Sequence, residues 1–131
     1  MNIDGHVLIF GGGSGIGEAC ALAFAKEGAA GIVLADINLN DAEQVVMACE
    51  ALATSADFKA KAVYVNIIQE ALVEQTIAQT VELFGRIDYC VNCAGIGVEH
   101  ANEVAKANVS EFDRFIDVNV KGTLNGTIYY I

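Results

Sequence analysis

Residues 8–28 read LIFGGGSGIGEACALAFAKEG. The apolar run that begins at His6 stops at Phe10, and five of the next seven residues are glycine. Small and apolar residues at helical spacing then fill 16–27, with Gly28 as the expected stop. A strand, a glycine loop and a helix in that order open an α/β unit. The rest of the chain keeps the rhythm. GIVLAD (31–36), KAVYVN (61–66) and DYCVN (88–92) read as strands. Helices are expected from a cap at Asp41 to about Thr54, over 70–84, and from a cap at Ser110 through at least Leu124. In the helix over 70–84, Val73, Ile77, Val81 and Phe84 share a face. The strands are continuous apolar runs rather than alternating ones, so both sheet faces are covered by helices. Right-handed crossovers then favour a doubly wound parallel sheet of four strands in the order 3-2-1-4.

Composition narrows the function classes. A length of 131 residues argues for one domain, and 54% apolar content can supply its core. No proline is present, which removes a rigid linker from consideration. No apolar run is long enough to cross a bilayer, and the first ten residues lack the basic region of a secretory leader. The expected location is the cytoplasm, with no membrane association. The net charge is −10, and the seven basic residues are scattered rather than clustered. Nucleic acid as a partner is therefore not expected. Cys20 and Cys49 fall within helical patterns and read as small buried residues. Cys90-x-x-Cys93 admits a redox pair or half of a metal site. Residues three apart on a strand point to opposite faces, and no second pair or nearby histidine completes a zinc set, so a buried strand is the expected reading and no metal is assigned.

In a doubly wound sheet, ligands sit beyond the C-terminal strand ends. A glycine loop there lets the backbone approach a phosphate, and the following helix offers free N–H groups and its positive end. The spacing is G-x-x-x-G-x-G, at Gly11, Gly15 and Gly17, with Ser14 adding a hydroxyl. No lysine follows the loop, which excludes a Walker motif. Asp36 ends the second strand, placed to accept both hydroxyls of an adenosine ribose and to repel a 2′-phosphate. No Lys or Arg lies in 11–17 or 36–40, so the expected cofactor is NAD rather than NADP. These features predict a single Rossmann-like dinucleotide-binding domain over residues 1–131.

Four motifs in order carry a resemblance: GGGSGIG, LADIN, FGRIDYCVNCAGI and FDRFIDVNVKGT. Together they resemble the short-chain dehydrogenase/reductase family, over its N-terminal, cofactor-binding part. The resemblance implies that Gly11, Ser14, Gly15, Ile16 and Gly17 wrap the pyrophosphate. It implies that Asp36 holds the ribose with Ile37 beside the adenine, and that Asn66 and Ile67 line the adenine pocket. Asn92, Ala94 and Gly95 then pass beneath the cofactor, Asn92 bracing the sheet, and Asn119 matches the family asparagine that organises a proton-relay water. Phe10, Asn66 and Cys93 depart from the family pattern, at a loop threonine, an adenine-contacting aspartate and the second asparagine of N-N-A-G.

The family's chemistry rests on a serine and a Tyr-x-x-x-Lys beyond the asparagine helix. Neither occurs here: no serine follows Ser110 and no lysine follows Lys121. The expectation is an NAD-binding half that lacks the family's C-terminal strands, binds its nucleotide weakly and performs no redox step, in an oxidoreductase lineage acting on alcohols or ketones. Alternatives are a non-redox enzyme (isomerase, cyclase, dehydratase or hydrolase) acting on a small molecule through Asp117, Asn119, His100, Tyr129 or Tyr130, and a fragment of, or docking partner for, a full-length reductase. A bare fourth-strand edge and the stripe Phe112, Ile116, Val120 predict a homo-oligomer, dimer or higher, through the 110–131 helix, the strand-four edge or both. The tail GTIYYI is β-prone as well as helix-compatible and is a candidate for an added strand in such an assembly.

Overall fold

The computed structural model describes residues 3–97, 106 and 108–130. The elements run β1 (His6–Phe10), α1 (Gly15–Lys26), β2 (Gly31–Asp36), α2 (Leu39–Leu52), β3 (Lys59–Tyr64), α3 (Glu70–Phe84), β4 (Tyr89–Asn92) and α4 (Val109–Phe115). A π-helical stretch (Ile116–Gly122) and α5 (Thr123–Tyr130) continue α4. The four strands form one parallel sheet in the order β3-β2-β1-β4, the doubly wound arrangement that the strand pattern predicts. Phe10 lies opposite both Ala35 and Asn92, so the C-terminal ends of β1, β2 and β4 stand level.

Alternation along the two central strands divides the core between the sheet faces. Val7, Ile9, Ile32 and Leu34 pack under α1 and α2 against Ala21, Ala25, Ala42, Val45 and Cys49. Leu8, Phe10, Val33 and Ala35 pack on the other face with Val65, Ile67 and Val73. Burial on both faces is why these strands read as unbroken apolar runs. Each large side chain so buried contributes about 1.5–3 kcal/mol relative to exposure. Ala21 and Ala25 keep α1 close to the sheet, because they present little bulk toward it.

Asp88 anchors the other end of the sheet. Its Oδ2 accepts the His6 backbone N–H at 2.8 Å, and its Oδ1 is paired with Arg86. The His6 ring stacks on Phe84 with centroids 4.5 Å apart. The backbone hydrogen bond from His6, aided by Arg86, holds the Asp88 carboxyl below its ordinary range. A carboxyl depressed in the folded state stabilises the fold above its unfolded pKa, and that stabilisation is lost as pH falls through the folded value. Asp88→Ala is expected to cost about 1–2 kcal/mol at neutral pH. Urea unfolding at pH 7 and in acid checks this: the gap between wild type and variant should close as the carboxyl protonates.

Several boundaries differ from the sequence reading. Asn38, not Asp41, caps α2; its Oδ1 accepts the Asp41 N–H at 3.1 Å. Asn108, not Ser110, caps α4, accepting from the Ser110 N–H at 3.0 Å and from its hydroxyl at 2.6 Å. β3 begins at Lys59 and ends at Tyr64, two residues earlier than KAVYVN suggests. The buried row of α3 is Val73, Thr76 and Thr80, whereas Val81 is exposed. In the single chain the helix-compatible tail is helical through Tyr130.

Candidate functional site

A cavity of about 780 Å³ opens over the C-terminal strand ends, floored by the β1–α1 loop and the segment after β4. The floor is pinned by backbone bonds that prolong the ladder past the strands. The Gly11 N–H donates to the Ala35 carbonyl at 2.7 Å, and the Cys93 N–H donates to the Phe10 carbonyl at 2.8 Å. Gly11 adopts φ +76°, and a Cβ there would lie 2.5 Å from the Ala94 nitrogen, so only glycine fits. Gly17 is needed for a different reason: a Cβ there would run into the Gly11 carbonyl oxygen. It sets how closely α1 approaches the loop.

Ser14 is the N-cap of α1 in extended conformation, and its hydroxyl makes no capping bond. It lines the cavity with Gly11, Gly15 and Ile16. The first-turn amides of α1 have no acceptor within the helix, so this wall offers donors and the positive end of the helix dipole. Gly17 lies behind that wall, buried and outside the cavity lining.

Asp36 lines the cavity from the end of β2, with Ile37 beside it and 62% exposed. Its carboxylate is held at two points. Oδ2 accepts the Gly13 N–H at 2.8 Å, and Oδ1 accepts the Asn38 N–H at 2.9 Å. A carboxylate offers about four lone-pair positions, so two remain for a ligand. The link from Asp36 to Gly13 joins the glycine loop to the second strand.

Asn66 and Ile67 reach the cavity from the β3–α3 loop. The Asn66 Oδ1 accepts the Ile68 N–H at 3.3 Å. Ile67 is buried, and two residues beyond α4 fix it. Its carbonyl accepts the Asn125 Nδ2 at 3.0 Å, and its side chain fills the space where a Gly122 side chain would stand. Ala94 and Gly95 line the floor. Asn92 is not in the lining; its Oδ1 accepts the Ala94 N–H at 3.1 Å, which braces the turn out of β4. Phe10, where the family pattern has a threonine, is fully buried with its ring toward Gly126.

Asn119 lies within the π-helical stretch and also stands outside the lining. Its side chain clamps Ile96 at both backbone atoms. The Ile96 N–H donates to Oδ1 at 2.8 Å, and Nδ2 donates to the Ile96 carbonyl at 3.0 Å. Asn119→Ala is expected to speed amide exchange at Ile96 and to cost about 1 kcal/mol. Exchange measured by mass spectrometry should rise over 93–97 and stay unchanged in β1.

Of the roof, the sequence reading named only Asp117, as a candidate for a non-redox reaction. Asp113, Arg114, Asp117 and Val118 line the cavity from α4 and the stretch that follows it. Their signal was available: Asp113 with Asp117 and Arg114 with Val118 are each four apart, hence on one helix face. Asp117 also pairs with Lys121 at 3.0 Å, a surface bond of small energy. Asn125 was missed too, since a polar residue in an apolar tail gives no hint of a carbonyl partner so far away in the chain. Among the remaining candidates, Tyr129 lies in α5 with Tyr130, and His100 lies outside the described residues. Among the described residues, no group of three His, Cys, Asp or Glu side chains is arranged to hold a metal ion, and no helix is long and apolar enough to cross a membrane.

A parallel 3-2-1-4 sheet with a glycine loop after β1 and a carboxylate at the end of β2 defines a Rossmann-like α/β protein. The family model for short chain dehydrogenases matches residues 5–130, and the chain belongs to that family. It is 51% identical over 122 residues to the short-chain dehydrogenase fogB of Aspergillus ruber, covering 93% of this chain and 45% of that protein. A short-chain type dehydrogenase/reductase from Mycobacterium ulcerans superimposes with a TM-score of 0.90 at 24% identity, over 99% of this chain and 46% of the other, a likeness of fold. The 3-ketoacyl-(acyl-carrier-protein) reductase from Brucella melitensis, complexed with NADH, is 36% identical with a TM-score of 0.83, over 96% and 48% of the two chains. The chain thus spans a little under half the length of the relatives it matches.

Proposed function

We propose that residues 1–131 form one domain, the NAD(H)-binding half of a short-chain dehydrogenase. The lineage is NAD-dependent oxidoreduction of alcohols or ketones. Within these residues no tyrosine is followed four positions later by lysine, so they carry no acid/base pair of the family type and no hydride transfer of their own. The observation that carries the reading is the continuity of one cavity from Gly11 and Ser14–Ile16, past Asp36, to Asn66–Ile68 and Cys93–Ile96.

The residue roles follow the same line. The free amides at the start of α1, with Gly11, Ser14, Gly15 and Ile16, take the pyrophosphate, and Gly17 keeps the helix close enough to serve it. The open lone pairs of Asp36 accept the ribose hydroxyls, while Ile37, Asn66 and Ile67 border the adenine. Asn92, Ala94 and Gly95 hold the floor, and Asn119 fixes the segment that carries Ile96. Asp36 and Asp41 line the cavity at the end of β2 and in the first turn of α2, negative charge that opposes a 2′-phosphate and favours NAD over NADP. The NADH-complexed Brucella relative supports a nucleotide ligand. The cofactor when bound supplies the hydride chemistry; these residues bind and orient it. The proposed compartment is the cytoplasm.

The same reading includes a partner. Tyr89 on the outer strand and Phe112, Val120 and Leu124 on the last helices are exposed, a surface suited to a second copy or to the remaining half of a full-length reductase. Because the chain covers about 45% of its relatives, the fragment reading is favoured over a repurposed non-redox enzyme.

Calorimetry with NAD and with ADP-ribose tests the proposal. Both ligands should bind with similar affinity, because the contacts lie on the adenosine and pyrophosphate side. An absorbance assay for reduced nicotinamide with a panel of alcohols should show no turnover. A folded protein that binds neither ligand would end the nucleotide reading, and turnover would end the claim of redox inactivity.

A further inference from the structure

Among the described residues that line the cavity, Arg114 is the one cation. Among the described residues, too, its guanidinium holds no carboxylate. Asp117, three residues on and within reach along the helix, is taken by Lys121 at 3.0 Å. The position of Arg114 is set further along the chain. Gly126 lies against the Phe10 ring at the strand ends, and Gly122 lies against Ile67 in the loop beyond them. The helix therefore rises away from the sheet toward its start, and Arg114, two turns before Gly122, overhangs the β3–α3 loop. Val118, between the two, lines the cavity and packs in the cluster that holds Val65 and Ile67. The ends of β2 and β3 present apolar surface to the same cavity, through the exposed Ile37 and Ile68.

We propose that Arg114 is a base-stacking residue, its guanidinium laid on the face of the adenine of the bound dinucleotide. The proposal rests on the nucleotide reading given above and adds to it a contact from the roof. Two observations favour the base over the diphosphate. The amides that suit a diphosphate start α1, which packs on the opposite face of the sheet from Val118. Four aspartates, Asp36, Asp41, Asp113 and Asp117, line the cavity with this single arginine, a field that repels an anion but not a neutral aromatic ring. A planar guanidinium is weakly hydrated and stacks on aromatic faces, whereas the ammonium of lysine is a compact, strongly hydrated charge. The base is then held between the floor of the cavity and its roof.

Calorimetry with ADP-ribose on wild type, Arg114→Ala and Arg114→Lys tests this, each at low and at high salt. Arg114 is exposed, so both variants should keep the fold, as circular dichroism checks. Both should bind ADP-ribose about 5–10-fold more weakly than wild type, because lysine keeps the charge but not the flat stacking surface. The salt dependence of binding should be the same in all three proteins, since no phosphate contact is lost. Wild-type affinity in Arg114→Lys, or a shallower salt dependence in Arg114→Ala, would assign Arg114 to the diphosphate and overturn the stacking. Equal affinity in all three proteins would remove Arg114 from the site while leaving the nucleotide reading intact. A folded wild type that does not bind ADP-ribose would overturn both.

Discussion

Gly17→Val is expected to abolish the proposed nucleotide binding and to lower stability by about 3 kcal/mol or more. The new side chain has nowhere to go, because even its Cβ collides with the Gly11 carbonyl oxygen. That carbonyl belongs to a loop already pinned to Ala35 and seated against Ala94. The loop cannot yield, so α1 must move away from the sheet. Such a shift opens space between Ala21, Ala25 and the strands, and it withdraws the first-turn amides from the cavity. Calorimetry should show ADP-ribose affinity reduced more than about 100-fold, and thermal unfolding should show a Tm lower by several degrees. Gly15→Ala is the control for position: a Cβ there meets open space, so its cost is confined to the left-handed backbone at φ +56°. A Gly17→Val protein that binds like wild type would mean that the loop and helix are not the diphosphate cradle.

Asp36→Ala is expected to weaken NAD binding about 100-fold and to erase the preference over NADP. The carboxylate has two tasks, and alanine removes both. One is the grip on the Gly13 and Asn38 amides, at 2.8 and 2.9 Å. The other is the proposed grip on the ribose by its two open acceptor positions. Loss of charge-assisted bonds of this kind costs about 1.5–3 kcal/mol each. The Gly13 N–H, freed in the variant, is one more donor near any 2′-phosphate. Asp36→Asn separates the tasks, since its amide oxygen can accept from one backbone N–H and keeps part of the loop geometry. Titration of wild type and both variants with NAD and NADP checks the order: Asp36→Asn should fall between wild type and Asp36→Ala for NAD. Equal affinities across the three proteins would place the ribose elsewhere.

Legibility differed from element to element for physical reasons. β1 and β2 were readable almost to the residue, because burial on both faces leaves an uninterrupted apolar run bounded by glycine and aspartate. β3 was read two residues late because it is an edge strand. Its exposed Lys59 and Lys61 hide its start, and the buried Val65 and Ile67, just past its end, mimic strand residues. Both misplaced caps have one cause. Two polar residues near a helix start compete for the cap, and the one further upstream captures the free amides while the other becomes its donor. In α3 the buried threonines were invisible to an apolar pattern. Thr76 and Thr80 return their hydroxyls to the Leu72 and Thr76 carbonyls, at 2.8 and 2.7 Å, so only their methyl groups face the core. In the site, the loop glycines and Asp36 were legible because each does a job only its residue type can do. The roof residues on α4 show in the sequence only as a shared helix face, and the Asn125 bond to Ile67 not at all, because what they face depends on where a distant helix comes to rest. The π-helical turn around Asn119 has no local sequence signature.

The two outer strands of the sheet are unequal. Lys59 and Lys61 stand exposed on β3, whereas β4 offers Tyr89, Cys90, Val91 and Asn92 without a charge. Laying a new strand along β3 crowds ammonium groups that prefer water, a known deterrent to unwanted pairing. Extension of the sheet therefore has a direction: it is open on one flank and blocked on the other. Were two such chains to meet at their open flanks, both flanks would be buried and only guarded borders left, so such an association would end as a pair instead of running on into a fibre.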